Sequence, residues 1–270
     1  MSKPTRTGMI GLGAMGLPMV GHQKRHGFEA CGCDVSPEAQ QRARAAGITV
    51  YDTPAEVGAN SDVVIVMVAT DEQVMDVVVK SGMLTKMKPG SVIAIASSVA
   101  PATCQELEKL CAQYKVGLLD TPVVLGQEAC NDGTMTTFVG GTEEAFHYAE
   151  PALAAFSGKV MYVGKSGSGQ LTKTLNNMLL WACMSANYEA LSFAKASGAD
   201  IPKLIDALQY SSGANWSLSR WGKSTGKWAE KDMDHALELA QEAKVAVPLA
   251  ALVDQLMKGM NQQKMLDLLK

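Results

Sequence analysis

Thr7-Gly-Met-Ile-Gly11-Leu-Gly13-Ala-Met-Gly16-Leu-Pro-Met19 is a short apolar run, a glycine-rich turn and the opening of a helix. Each glycine in it has a mechanical task. Gly11 permits the tight turn out of the strand, Gly13 lets the backbone approach a pyrophosphate, and Gly16 lets helix and strand pack closely. Leu12, Ala14 and Met15 complete the turn. The helix start aims backbone N–H groups and partial positive charge at the phosphates. Asp34 follows about 18 residues after Gly16, at the end of the second expected strand. A carboxylate there accepts hydrogen bonds from ribose hydroxyls and repels a 2′-phosphate. Val35, Ser36 and Pro37 come next, with no arginine among them. The stretch from Thr7 to Asp34 therefore reads as a dinucleotide pocket in which NAD(H) is favoured over NADP(H).

Outward from this motif, strand and helix alternate up to about residue 163. Gly8–Gly11, Ala30–Asp34, Asp62–Val68, Ser91–Ala96, Val116–Asp120 and Thr134–Val139 read as strands. Pro37–Ala46, Glu72–Lys80, Ala102–Tyr114 and Glu143–Phe156 read as helices. Such alternation argues for βαβ units and a largely parallel sheet. Asp62-Val-Val-Ile-Val-Met-Val68 is apolar on both faces, as a central strand covered on both sides must be. Past the glycine and serine loop Gly164–Gly169, the strand signals stop. Gln170–Ser197 has no proline or glycine and reads as one long helix closed by Gly198. Pro202–Tyr210, Asp232–Ala243 and Leu249–Lys258 are further helical segments. The expected fold is an α/β domain over residues 1–164 and an all-helical domain over 165–270, joined by a long interdomain helix.

Composition narrows the function classes. The 270 residues are 47% hydrophobic and 19% charged, with a net charge of −3. This is a globular protein with a large core and no electrostatic bias toward nucleic acid or an anionic membrane. The opening residues lack the long apolar stretch of a signal peptide, and no segment reaches the ~18 apolar residues of a membrane span. The six scattered cysteines are expected to be reduced thiols in a cytoplasmic protein. His22, His26, His147 and His235 are isolated, so no metal site is expected and surface or helix-face positions are favoured.

The opening motif is more specific than a generic glycine turn. It resembles the start of the β-hydroxyacid dehydrogenase family, and further matches follow in the family's order. Ser97-Ser-Val-Ala-Pro101 resembles the loop that borders the nicotinamide. Asp120-Thr-Pro-Val123, running on to Gly126, resembles the substrate motif. Gly167-Ser-Gly-Gln-Leu-Thr-Lys173-Thr-Leu-Asn176-Asn177 resembles the catalytic motif. Lys231-Asp232 and Val247-Pro248 match more weakly. The resemblance implies a Rossmann-type domain and a helical domain that dimerises, as a homodimer or a dimer of dimers. It also implies a hydroxyacid or its semialdehyde or ketoacid as small-molecule substrate. By the same resemblance Lys173 is the catalytic residue and Asn177, Val124, Leu125 and Gly126 meet the substrate. Val68, Ser98 and Lys231 join the glycine turn and Asp34 as cofactor contacts.

The catalytic motif also makes sense from its spacing. Lys173 and Asn177 stand four apart on an expected helix and share a face. An ammonium is a proton donor that needs no metal, and an amide offers a fixed donor and acceptor.

Three departures from the family pattern stand out. The usual Asp-Ala-Pro-Val-Ser-Gly-Gly reads Asp120-Thr-Pro-Val-Val124-Leu125-Gly126 here, without the serine hydroxyl and with bulk in place of a glycine. The substrate is then larger, more apolar or otherwise anchored, or neighbouring backbone N–H groups still hold a carboxylate. The expected strand Ser91–Ala96 ends Ile95-Ala96 where an aspartate is common in the family. The segment from Trp216 to Lys231 is short, and its tryptophans read as core or interface aromatics. Reduction of an imine, or of a carbonyl lacking a carboxylate, is one alternative, opposed by the retained Lys173. A non-catalytic dinucleotide sensor is another.

Overall fold

The computed structural model describes residues 3–223 and 226–270. Met1 and Ser2, at the polar start, and Ser224 and Thr225, between Trp216 and Lys231, lie outside the described residues. The chain divides into two compact units, Met1–Lys173 and Thr174–Lys270.

The first unit is built on one sheet. Its strands are β1 (Arg6–Ile10), β2 (Glu29–Cys33), β3 (Thr49–Val50), β4 (Val63–Val66), β5 (Val92–Ile95), β6 (Gly117–Asp120), β7 (Val123–Val124), β8 (Met135–Gly141) and β9 (Ser157–Gly164). The order is β3-β2-β1-β4-β5-β6-β8-β7, with β9 also pairing with β8. Every pair among β1 to β6 is parallel, whereas β8 runs antiparallel to β6 and β7. The arrangement 3-2-1-4-5-6 is that of a doubly wound dinucleotide-binding sheet, whose ligands lie outside the carboxyl ends of the strands.

Side-chain alternation builds a core on each face. In β4, Val63 and Ile65 join Met9, Leu12 and Phe156 on one side, while Val64 and Val66 join Ile93, Ile95 and Leu107 on the other. All four β4 residues are buried, as their double-sided apolar character requires. Full burial stabilises each such side chain by about 1.5–3 kcal/mol relative to exposure.

The sequence reading omitted β3, β7 and β9. The first two span two residues each and show no period. β9 lies at the sheet's border with Met161 and Tyr162 exposed, so its pattern does not alternate cleanly. The expected helix Glu72–Lys80 is an α-helix over Asp71–Met75 that continues as a π-helical turn over Asp76–Lys80. His22 lies on the buried face of the helix Gly16–Arg25, with Nε2 3.1 Å from the Cys130 carbonyl and 3.0 Å from that of Asn131.

The long helix spans Ser168–Ala196, and Gly198 after it has φ of +79°. The second unit continues it with helices Ile201–Leu208, Trp216–Ser219, Ala229–Glu242, Pro248–Lys258 and Gln262–Leu268. Trp216–Ser219, capped by Asn215, and Gln262–Leu268, capped by Asn261, go beyond the sequence expectation. Trp181, Met184, Leu191, Trp221, Met233, Val253 and Met265 form this unit's own core. Trp216 and Trp228 are exposed. No helix among the described residues is long and apolar enough to cross a membrane.

Candidate active site

The glycine turn leaves the carboxyl end of β1, at the centre of the sheet. Gly11 has φ of +92°, and a Cβ there would stand 2.2 Å from the Met67 carbonyl oxygen. Only glycine accepts both conditions. At Gly16 a Cβ would stand 1.9 Å from the Gly11 carbonyl oxygen, so the helix Gly16–Arg25 seats directly on the turn. Gly13 differs, with no heavy atom within 4 Å of where its Cβ would be. A groove of about 300 Å³ opens there, past Ala14 and Leu17. No side chain caps the helix at Met15, and no acidic residue occupies its first turn. An open backbone at Gly13 beside an uncapped helix start fits a diphosphate.

Asp34 sits beyond the end of β2. Its carboxylate accepts from Leu12 N at 2.6 Å and from Ser36 N at 2.8 Å, which places it against the turn. Val68 lies beyond the end of β4, with Cγ1 3.5 Å from the Gly11 Cβ position. Its N–H donates to Ser97 Oγ at 2.8 Å. Gly11, Leu12, Asp34, Val68 and the Ser97–Pro101 loop are thus brought together.

Lys173 lies in the first turns of the long helix, and its Nζ donates to Ser98 Oγ at 2.6 Å. Two buried side chains, one from each of the last two motifs, hold that helix in place. The carboxylate of Asp120, at the end of β6 and fully buried, accepts from Gly167 N at 2.7 Å and Gln170 N at 2.9 Å. Burial pushes its pKa up, opposed by these backbone N–H groups. Gln170, also buried, donates to the Ser97 carbonyl at 2.7 Å and accepts from Val99 N at 3.3 Å. Across the loop, Asp71 accepts from Ala100 N at 2.9 Å and Thr103 Oγ1 at 2.6 Å.

The altered substrate motif has its own geometry. Val124 closes β7, and Leu125 adopts φ of +83°, a left-handed conformation costly for a side-chain-bearing residue. Gly126 follows with φ of +78° and starts the helix Gly126–Asp132. That helix is tied to the glycine turn: Gln127 Nε2 donates to the Ala14 carbonyl at 2.8 Å, and the Cys130 thiol donates to that of Met15 at 3.3 Å. Val124, Leu125 and Gly126 thereby lead into a helix anchored beside Ala14 and Met15.

Asn177 and Lys231 belong to the second unit. Asn177 is half-buried and accepts from Asn176 Nδ2 at 3.1 Å, and Lys231 is exposed on the helix Ala229–Glu242. The sequence reading did not single out Asp71, Gln127 or Gln170, and it quoted Asp120 without a role. Gln127, Gln170 and Asp120 share a signal, a polar residue within or next to a motif, whereas Asp71 lies outside all of the motifs. All six cysteines are free, and no group of three or more metal-binding side chains occurs among the described residues.

Comparison with known proteins agrees with the fold. The NAD binding domain of 6-phosphogluconate dehydrogenase matches residues 6–164. The NAD-binding domain of NADP-dependent 3-hydroxyisobutyrate dehydrogenase matches residues 167–268. The chain belongs to the β-hydroxyacid dehydrogenase family. It is 34% identical to mitochondrial 3-hydroxyisobutyrate dehydrogenase of Mus musculus over 227 residues, covering 84% of this chain and 68% of that one. It is 32% identical to L-threonate dehydrogenase of Cupriavidus necator, covering 92% and 88%. A solved 3-hydroxyisobutyrate dehydrogenase of Mycobacterium tuberculosis with L-serine superposes with a TM-score of 0.86 at 26% identity, covering 94% and 92%.

Proposed function

We propose that this β-hydroxyacid dehydrogenase family member interconverts a small β-hydroxyacid and its semialdehyde or ketoacid with NAD(H), and that Lys173 is its general acid and base. The observation that carries the reading is the Lys173 Nζ to Ser98 Oγ hydrogen bond beside the carboxyl end of β5. There the ammonium stands on a helix start fixed to the sheet, at the edge where ligands of doubly wound sheets bind.

Gly11, Leu12, Gly13, Ala14, Met15 and Gly16 would hold the diphosphate, with Asp34 on the adenosine ribose and Val68, Ser98 and Lys231 toward the nicotinamide. NAD(H) supplies the hydride chemistry when bound. Lys173 hydrogen-bonds the reacting oxygen, donates a proton to it in reduction and takes one from it in oxidation. Ser98 accepts from the ammonium and keeps it aimed. Asn177 and the segment Val124 to Gly126 meet the substrate. The preference for NAD(H) over NADP(H) is supported by the Asp34 carboxylate against the turn and by the uncharged residues after it.

We assign the dinucleotide-binding domain to 1–164 and the helical domain to 165–270, in a cytoplasmic homodimer or dimer of dimers. Support for self-association comes from exposed Leu249, Leu252 and Leu256, which share one face of the helix Pro248–Lys258, and from exposed Leu175 and Leu179 on the long helix.

The test is NADH absorbance over a panel of β-hydroxyacids and semialdehydes, with wild type and Lys173→Ala. Wild type is expected to turn over at least one hydroxyacid. Lys173→Ala abolishes turnover and leaves NADH affinity nearly unchanged. Surviving turnover in Lys173→Ala, or loss of its NADH binding together with turnover, would sink the assignment.

A further inference from the structure

We propose that Gln170 is a positioning residue whose carboxamide brackets Ser98 and so fixes the hydroxyl that receives the Lys173 ammonium. The proposal rests on the reading of Lys173 given above, but its geometry stands apart from any substrate.

Gln170 is 2% exposed. Its Nε2 donates to the carbonyl of Ser97 at 2.7 Å, and its Oε1 accepts from Val99 N at 3.3 Å. These are the backbone groups on either side of Ser98. The side chain therefore pairs with the loop as a neighbouring strand would, one donor and one acceptor together. Those two partners also fix which way the amide faces.

The main chain of Gln170 is held independently, since its N–H donates to the buried carboxylate of Asp120. Lys173 follows three residues later on the same helix, so both side chains leave the same face. One turn of helix thus clamps the loop and presents the ammonium to it. The rest of the loop is secured by Ser97 Oγ under Val68 N and by Asp71 under Ala100 N. Without the Gln170 amide, the two backbone groups flanking Ser98 lose these partners.

An amide is the side chain this arrangement needs. A carboxylate of the same length retains an acceptor for Val99 N and turns a second acceptor toward the Ser97 carbonyl. A thioether of similar length satisfies neither group. Displacement of a positioned group by about 1 Å is enough to slow a reaction by about a hundredfold.

The experiment is a double-mutant cycle on the NAD(H)-loaded enzyme with Gln170→Met, Ser98→Ala and the pair, read with the hydroxyacid that wild type turns over. Amide hydrogen exchange at Val99 is measured on the same proteins. Gln170→Met is expected to lower kcat by about ten- to a hundredfold and to speed Val99 exchange. NADH affinity should stay within about twofold, and the double variant should match Ser98→Ala alone within about twofold. If Gln170→Met is insoluble, Gln170→Glu takes its place in the cycle, with the same direction expected. Multiplicative losses in the double variant, or unchanged Val99 exchange, would overturn the proposal. A wild type inactive on every hydroxyacid would instead overturn the reading of Lys173, while Val99 exchange would still decide whether Gln170 holds the loop.

Discussion

Asp120→Ala is expected to destabilise the first unit by about 2–4 kcal/mol. The carboxylate is fully buried and accepts from Gly167 N at 2.7 Å and Gln170 N at 2.9 Å. Truncation leaves two buried donors without it, and each orphaned group costs about 1–3 kcal/mol before any water enters. The structure is built closely around this side chain. A Cβ on Gly140 would lie 2.5 Å from Oδ1, and one on Gly169 2.8 Å from Oδ2. For a unit of this size the loss corresponds to a fall in melting temperature of roughly 4–16 °C, readable by calorimetry. Asp120→Asn keeps the shape and adds a pH signature. Burial raises the native pKa of Asp120. Between the ordinary carboxylate value of about 3.9 and the higher native value, the native state binds more protons than the unfolded one. Stability contributed by Asp120 is therefore full below that window and declines as pH rises through it. The amide has no such dependence, so the stability gap between wild type and Asp120→Asn should narrow as pH rises. A gap that widens with pH, or an Asp120→Ala loss below about 0.5 kcal/mol, which is an ordinary surface effect, would refute the reasoning.

Two glycine substitutions should separate folding from binding: Gly16→Ala meets the Gly11 carbonyl and should unfold or loosen the turn, whereas Gly13→Val meets open space and should spare the melting temperature while weakening NADH affinity in a fluorescence titration. Leu125→Gly removes a left-handed leucine and should raise stability by up to about 1 kcal/mol in urea unfolding, since the relieved strain of about 1–2 kcal/mol exceeds glycine's added entropy cost. Asp34→Ala should lower the preference for NADH over NADPH in a competition titration, because the carboxylate that repels a 2′-phosphate is gone. Burial raises the Asp62 pKa, but Arg6 and the N–H groups of Thr5 and Arg6 outweigh it and hold the carboxylate below its ordinary range. Its stabilisation is therefore present above pH of about 3.9 and lost as pH falls through the lower native value, so the cost of Asp62→Asn should shrink in acid unfolding titrations.

What the sequence disclosed and what it concealed divide along physical lines. The central strands were legible because burial on both faces leaves an unbroken apolar run, as in Val63–Val66, and the glycine turn because each of its constraints excludes a Cβ. The border strands were not, since β7 has two residues and β9 exposes Met161 and Tyr162. At the candidate site, Lys173, Ser98 and Asp34 were legible by resemblance to a known motif. The residues that hold them were not, because a hydrogen bond from Gln170 to the backbone around Ser98 spans about seventy positions and leaves no period in the chain. Such residues share a recognisable condition: Asp120 and Gln170 are polar, buried and located where no helical or strand period asks for an apolar side chain. A buried polar group costs stability unless it is bonded. Its presence inside a motif therefore points to backbone partners elsewhere, and here those partners lie at the loop and helix start that bring Lys173 to Ser98.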